Sequence, residues 1–341
     1  MPIVIVGIDL AKNMFAVHGV DGTGKAVLVK PRVSRDQLVA LIAQLPPCLI
    51  GMEACSGAHH WARVFQRYGH TVKLMAPKLV APYRMSGKRG KNDAADAAAI
   101  CEAVTRPSMR FVPLKDEHQQ ATLCLHRTRQ GFVEERTAIY NRMRGLLSEF
   151  GVVLPQSPER FRREIPAHLD ALPGWARRCL SDLLEHVGII EDRLVEYDRA
   201  IGEIARDDER SRRLMQLRGI GPTTASALLA SIGAGHDFKN GRQVAAWPGL
   251  TPSQYSNGGK ERPGAITKTG DAYLRNLLVL GARSVMASPG DKQDRFSRWV
   301  KSLLERRGYW RTAVAIAAKN ARMAWATLKY GEAFKHEPVT V

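Results

Sequence analysis

The sequence predicts an α/β domain followed by a mostly helical remainder, and three observations carry that division. Between residues 3 and 75, β-branched apolar runs of strand length first follow one another directly and then alternate with helical patterns. The middle third holds apolar residues at uninterrupted helical spacing. Beyond residue 214, glycine- and proline-rich stretches separate further helical segments. A chain of 341 residues is too long for one compact core, and these shifts divide it into 1–112, 113–210 and 211–341.

The run Ile3 to Ile8 has the composition of a buried strand and ends at Asp9. Met14 to Val20 and Ala26 to Val33 flank Asp21-Gly22-Thr23-Gly24, a hairpin signal. Ser34 then caps a helix whose apolar positions Leu38, Leu41, Ile42 and Leu45 recur at helical spacing. A second buried strand, Cys48 to Met52, ends at Glu53; a helix from about His59 to Arg67 and a strand Val72 to Met75 follow. Asp93 and Asp96 open an alanine-rich helix ending near Val104, so their three-residue spacing places both on one face of its first turn.

Asp9, Glu53, Asp93 and Asp96 thus lie at strand ends and a helix start, the places from which an α/β fold gathers side chains into one site. Four converging carboxylates raise one another's pKa and need counter-charge. A hard divalent cation supplies it, and Mg²⁺, which keeps positions open for phosphate and water, suits phosphoryl transfer. Taken singly, each acid is equally an ordinary cap. The basic run just before Asp93, with Lys78, Arg84, Lys88, Arg89 and Lys91, is either a solvated loop or a clamp for backbone phosphates beside the site.

In the middle third, Leu183, Val187, Ile190, Leu194, Tyr197, Ile201 and Ile204 form a heptad seam. A segment around Phe132, Ile139, Met143, Leu146 and Phe150 is its expected antiparallel partner, joined through Pro155 to Pro173. The seam closes a helical hairpin within one chain or also joins protomers. Further on, Leu217-Arg218-Gly219-Ile220-Gly221-Pro222-Thr223 resembles the turn of a helix-hairpin-helix element, in which Gly219 and Gly221 aim backbone N–H groups at a phosphate. Ala245 to Lys260 follows and contains a Ser-Asn-Gly-Gly loop, Ile266 to Asp271 leads into a helix Leu274 to Met286, and a tail helix runs from about Arg311 to Leu328.

Lys and Arg total 51 against 33 Asp and Glu, a net charge of +18 that favours a polyanionic partner, nucleic acid before membrane surface. The five cysteines lack CxxC spacing, which argues against a zinc site or a disulfide framework and for reduced thiols in the cytoplasm. Neither a signal peptide nor a membrane span is expected.

The ordered set Asp, Glu, Asp-x-x-Asp, set in GIDLAKN, GMEACSG and KNDAADA, resembles the DEDD transposases of bacterial insertion sequences. The stretch AAWPGLTPSQYSNGGK with ITKTGD resembles the C-terminal domain of the same family. The resemblance implies a RuvC-like ribonuclease-H fold at the N-terminus, a central coiled coil, and a C-terminal transposase domain. It further implies a recombinase acting on DNA at element ends and target, guided by a bridge RNA, working as a homodimer or homotetramer at the bacterial nucleoid. A serine after GLTP then attacks a DNA phosphodiester, which makes Ser256 the candidate nucleophile, with position 257, here Asn, as the competing placement. Lys260 and Lys268 are the implied nucleic-acid contacts around it. Two other functions stay open: a junction nuclease using metal-activated water, and a non-catalytic nucleic-acid binder.

Overall fold

The computed structural model describes residues 2–84, 93–257, 259–287 and 294–332. Lys88, Arg89 and Lys91 lie outside the described residues. The chain forms two units, 1–118 and 119–341.

The first unit is a six-stranded mixed sheet with helices. Its strands are β1 (Ile3–Asp9), β2 (Met14–Asp21) and β3 (Ala26–Ser34), then, after helix α1 (Arg35–Ala43), β4 (Leu49–Glu53). Helix α2 (Ala58–Arg67), β5 (Thr71–Met75), the short α3 (Pro77–Val80), α4 (Asp93–Ala103) and β6 (Phe111–Val112) complete it. The sheet order is β3-β2-β1-β4-β5-β6. β1, β2 and β3 pair antiparallel, β1, β4 and β5 pair parallel, and β6 returns antiparallel on β5. This is the expected order of three antiparallel strands followed by alternating helix and strand, an arrangement consistent with a ribonuclease-H-like domain. Local chemistry fixes the hairpin and the first helix: Asp21 Oδ1 accepts from the backbone and hydroxyl of Thr23 and from Lys25 N, and Ser34 and Gln37 form a reciprocal capping box.

The second unit is helical apart from one hairpin. Its helices are α5 (Glu117–Ser148, entering from the first unit), α6 (Pro158–Glu164), α7 (Pro166–Leu169), α8 (Gly174–Asp207), α9 (Glu209–Met215), α10 (Pro222–Ile232) and α11 (Gly241–Ala246). The hairpin strands β7 (Pro252–Asn257) and β8 (Lys260–Ile266) precede α12 (Ala272–Ala287), α13 (Arg295–Arg307) and α14 (Tyr309–Tyr330). α5 and α8 pack through Ile139, Tyr140, Met143 and Leu147 against Leu180, Val187, Ile190 and Leu194. Their cross-contacts Arg129–Asp198, Phe132–Tyr197 and Tyr140–Glu191 have descending partners, so the two helices run antiparallel. The apolar seam does not hold to its last residue: Ile204 is exposed while Ala205 is buried. A straight helix turns about 20° per heptad away from a 3.5-residue repeat, so three heptads carry residue 204 off the seam and its neighbour onto it.

β7 and β8 form a strand pair that takes in Ser256 and Asn257 of the expected Ser-Asn-Gly-Gly loop, with Asn257 opposite Lys260 and Ser256 opposite Glu261. The paired positions 257 and 260 leave a two-residue turn containing Gly259 at φ 81°, the glycine-rich connection that tight hairpins favour.

His126 on α5 is fully buried, with Nε2 3.0 Å from Ser226 Oγ on α10 and Nδ1 3.0 Å from Tyr273 Oη on α12. The Ser226 hydroxyl donates its one hydrogen to Pro222 O at 2.9 Å, so it accepts from Nε2–H, and Nδ1 accepts from Tyr273. The ring is therefore neutral, and burial first, then Arg129, lowers its pKa to about 4. An unfolded histidine near 6.5 takes up a proton that the folded one refuses, so this contribution to stability is complete above about pH 6.5 and is lost as pH falls toward 4. Urea unfolding at pH 7.0 and 4.5 should show the wild type losing on the order of 2 kcal/mol more than His126→Gln across that interval.

Candidate active site

β1 and β4 are parallel neighbours whose register pairs Gly7 with Gly51 and Ile8 with Met52, so Asp9 and Glu53 emerge side by side at the strand ends. Helix α4 crosses directly over this pair. A Cβ on Gly7 would lie 2.2 Å from Ala97 O and 2.4 Å from Cys101 N, and one on Gly51 would lie 2.8 Å from Val104 Cβ. Only glycine lets the helix approach so closely, and that approach carries its first turn, with Asp93 and Asp96, to the two strand-end acids. Asp93 is exposed, Asp96 half-buried, and Glu53 8 % exposed.

Burial first, then Asp96, Glu53 and Asp93, raise the Asp9 carboxyl to about 6 against the opposing effect of Arg84. The other three acids are thus within electrostatic reach of Asp9. Burial also raises Glu53, with Arg84 working against it. The Arg84 guanidinium follows a short turn after α3 and bridges two acids: Nη2 donates to Glu53 Oε1 at 3.0 Å, and Nε lies 2.9 Å from Asp96 Oδ1 as an ion pair without hydrogen-bond alignment. Among the described residues, no three acidic, histidine or cysteine side chains stand in a ready metal-binding arrangement. Sequence reading grouped Arg84 with the phosphate contacts; nothing in a basic run marks one arginine as the counter-ion of an acid 31 positions earlier. It also passed over Cys55, whose thiol is raised by burial and then by Glu53 and Asp9.

The other candidates are distributed. Lys78 is exposed on α3. Gly219 has φ 83° and packs its backbone on Gly281 of α12, where an added Cβ would lie 2.6 Å from Gly281 O, so close packing is its first structural role. Gly221 caps the N-terminus of α10. Lys268 is the only non-glycine residue with positive φ among the described residues (51°), and Arg275 Nη1 holds that turn by donating to Lys268 O at 3.0 Å and Pro248 O at 2.8 Å. Lys260 begins β8. Ser256 is exposed near the hairpin tip and its Oγ accepts from Gln254 Nε2 at 2.9 Å, whereas Ser253 Oγ donates across the hairpin to Ala265 O at 3.0 Å.

A family model described as "Transposase IS116/IS110/IS902 family" matches residues 211–297, and another described as "Transposase" matches residues 6–152. A "Probable family 20 transposase" of Pseudomonas aeruginosa is 46 % identical over 95 % of this chain and 96 % of its own length. The chain belongs to the IS110-type transposase family. Two further relatives of similar reach are the "Transposase for insertion sequence element IS1328" of Yersinia enterocolitica and the "Transposase for insertion sequence element IS1111A" of Coxiella burnetii. They are 40 % and 39 % identical over 97 % of this chain, and 98 % and 91 % of their own lengths are covered. The first family match includes Ser256 and Lys268, and the second includes all four acids. Among the described residues, no helix of this transposase is long and apolar enough to cross a membrane.

The glycine pair under α4 is directly testable. Gly7→Ala and Gly51→Ala should each lower stability by about 1–3 kcal/mol through overpacking, seen as a lower Tm. Gly22→Ala, where an added Cβ meets nothing within 4 Å, should leave Tm nearly unchanged.

Proposed function

We propose that this transposase cuts and rejoins DNA strands with its acidic cluster and the hydroxyl of Ser256, with Mg²⁺ as cofactor and a structured bridge RNA specifying sequence. The observation that carries the reading is the electrostatic convergence of four carboxylates at the end of a parallel strand pair. The donor set is oxygen-only and includes buried, mutually repelling acids, which suits a hard cation. Asp9, Glu53, Asp93 and Asp96 would hold it, and Mg²⁺ would stabilise charge developing on phosphoryl oxygens. With such a cation bound, Glu53 and Asp96 would no longer need Arg84 as their counter-ion, and its guanidinium would be available to a phosphate oxygen.

In this reading the Ser256 oxygen bonds to a DNA phosphorus as one backbone P–O bond breaks, and the proton passes to the released DNA hydroxyl. The ester conserves the bond energy for rejoining. Lys78, Lys88, Arg89, Lys91, Lys260 and Lys268 neutralise backbone phosphates, and the turn at Gly219 and Gly221 offers N–H groups to one more in the manner of a helix-hairpin-helix element. The α5–α8 pair acts as a coiled coil in a homodimer or homotetramer, and the first unit is RuvC-like.

Asp9→Asn, Glu53→Gln, Asp93→Asn and Asp96→Asn should each lower strand exchange at least about 100-fold while leaving RNA binding within a few-fold. Full exchange after substitution of any two of them refutes the acidic site.

The serine is tested separately with a nicked substrate, denaturation and peptide mass mapping. DNA should stay attached to the wild type and to Ser253→Ala, and should be free in Ser256→Ala. DNA released free from the wild type points instead to hydrolysis by metal-activated water.

A further inference from the structure

Between α13 and α14 the chain reads Arg306-Arg307-Gly308-Tyr309-Trp310-Arg311. Gly308, at φ 75° and ψ 174°, turns the chain sharply, so the last residues of one helix and the first of the next meet at a corner. Two aromatic rings stand on that corner. Trp310 is 65 % exposed and Tyr309 42 %, and their rings meet edge to face at 5.3 Å. Arg283 of α12 organises them: its Nε donates to Tyr309 Oη at 3.2 Å, and its guanidinium carbon lies 5.6 Å from the centre of the Trp310 ring. Exposed Leu280, one turn earlier on α12, extends the apolar surface.

A tryptophan used for packing buries its ring, as Trp61 does in the first unit at 3 % exposure. Trp310 leaves most of its ring in water beside four arginines, and residues 306–311 contain no acid. An oriented, water-facing indole among fixed positive charges suits a ligand that carries both a flat π-face and negative charge, which is a nucleotide in a single strand. A duplex hides its base faces by stacking and offers phosphates alone.

We propose that Trp310, Tyr309 and Arg283 form a stacking site for an unpaired base of single-stranded DNA, with Arg306, Arg307 and Arg311 holding its phosphates. DNA is the committed occupant because strand exchange, the reaction proposed above, unpairs DNA. The site does not take part in the cleavage chemistry. Its test reads binding without cutting, so its failure leaves the acidic site and Ser256 untouched.

The experiment is fluorescence anisotropy on the full chain with a labelled 15-nucleotide oligothymidylate, the matching oligouridylate and a duplex of equal length. Trp310→Ala should weaken oligothymidylate binding roughly tenfold, Trp310→Phe should retain it within about threefold, and duplex affinity should change less than about twofold. Arg306→Ala with Arg307→Ala should flatten the salt dependence on the single strand by about 0.7 unit of slope per lost contact. Tryptophan quenching by oligothymidylate, smaller in Trp310→Phe than in the wild type, gives a reading independent of the alanine variant. Unchanged oligothymidylate affinity in Trp310→Ala, an equal loss on the duplex, or a loss confined to oligouridylate overturns the proposal.

Discussion

The close seating of helix α4 on the Gly7–Gly51 pair is the contact on which the candidate active site depends. Two strands aligned in register each place a glycine under the helix, and any side chain there would push the helix outward by the width of a methyl group. Because Asp93 and Asp96 ride on the first turn of that helix, the displacement would pass directly to the acids. The glycines in GID and GME therefore set the depth of the site, while the acids set its chemistry.

The cluster so gathered is electrostatically unfavourable by itself, as the raised carboxyl of Asp9 records. Arg84 offsets part of that repulsion by spanning Glu53 and Asp96. A guanidinium is a broad, planar ion satisfied by carboxylates several ångströms apart, whereas a small divalent ion draws them together. Arg84 is the counter-ion that this spacing of Glu53 and Asp96 accommodates, and the cation proposed above would call for a closer one.

Much of the first unit was legible because its periods are clean. Strands such as Ile3–Asp9 and Leu49–Glu53 are short β-branched runs, and the capping box at Ser34 marks a helix start from composition alone. The two-residue β6 carries no pattern long enough to read. The Ser-Asn-Gly-Gly run reads as a loop because its residues are turn formers, and the pairing of β7 with β8 overrides that preference at Ser256 and Asn257. The exposed Ile204 shows the limit of a heptad count on a straight helix. The four acids could be picked out individually from their places at element ends, but the Arg84 bridge and the packing of Gly219 on Gly281 join positions far apart in sequence and leave no local signal.

The antiparallel pairing of β7 and β8 also bears on which hydroxyl position this hairpin can offer to a phosphate. Successive residues of a pleated strand alternate sides, so position 256 shares a face with Gln254 while 257 shares one with Tyr255. The choice between 256 and 257 is therefore a choice of parity, and moving a hydroxyl by one residue sends it through the sheet to the opposite surface. Shifting the strand by two residues would preserve the face, while lengthening or shortening the connection between positions 257 and 260 by one residue would exchange the two faces for every side chain beyond it. In this hairpin, strand position fixes the faces of residues 256 and 257, and turn length fixes only which β8 residues lie opposite them.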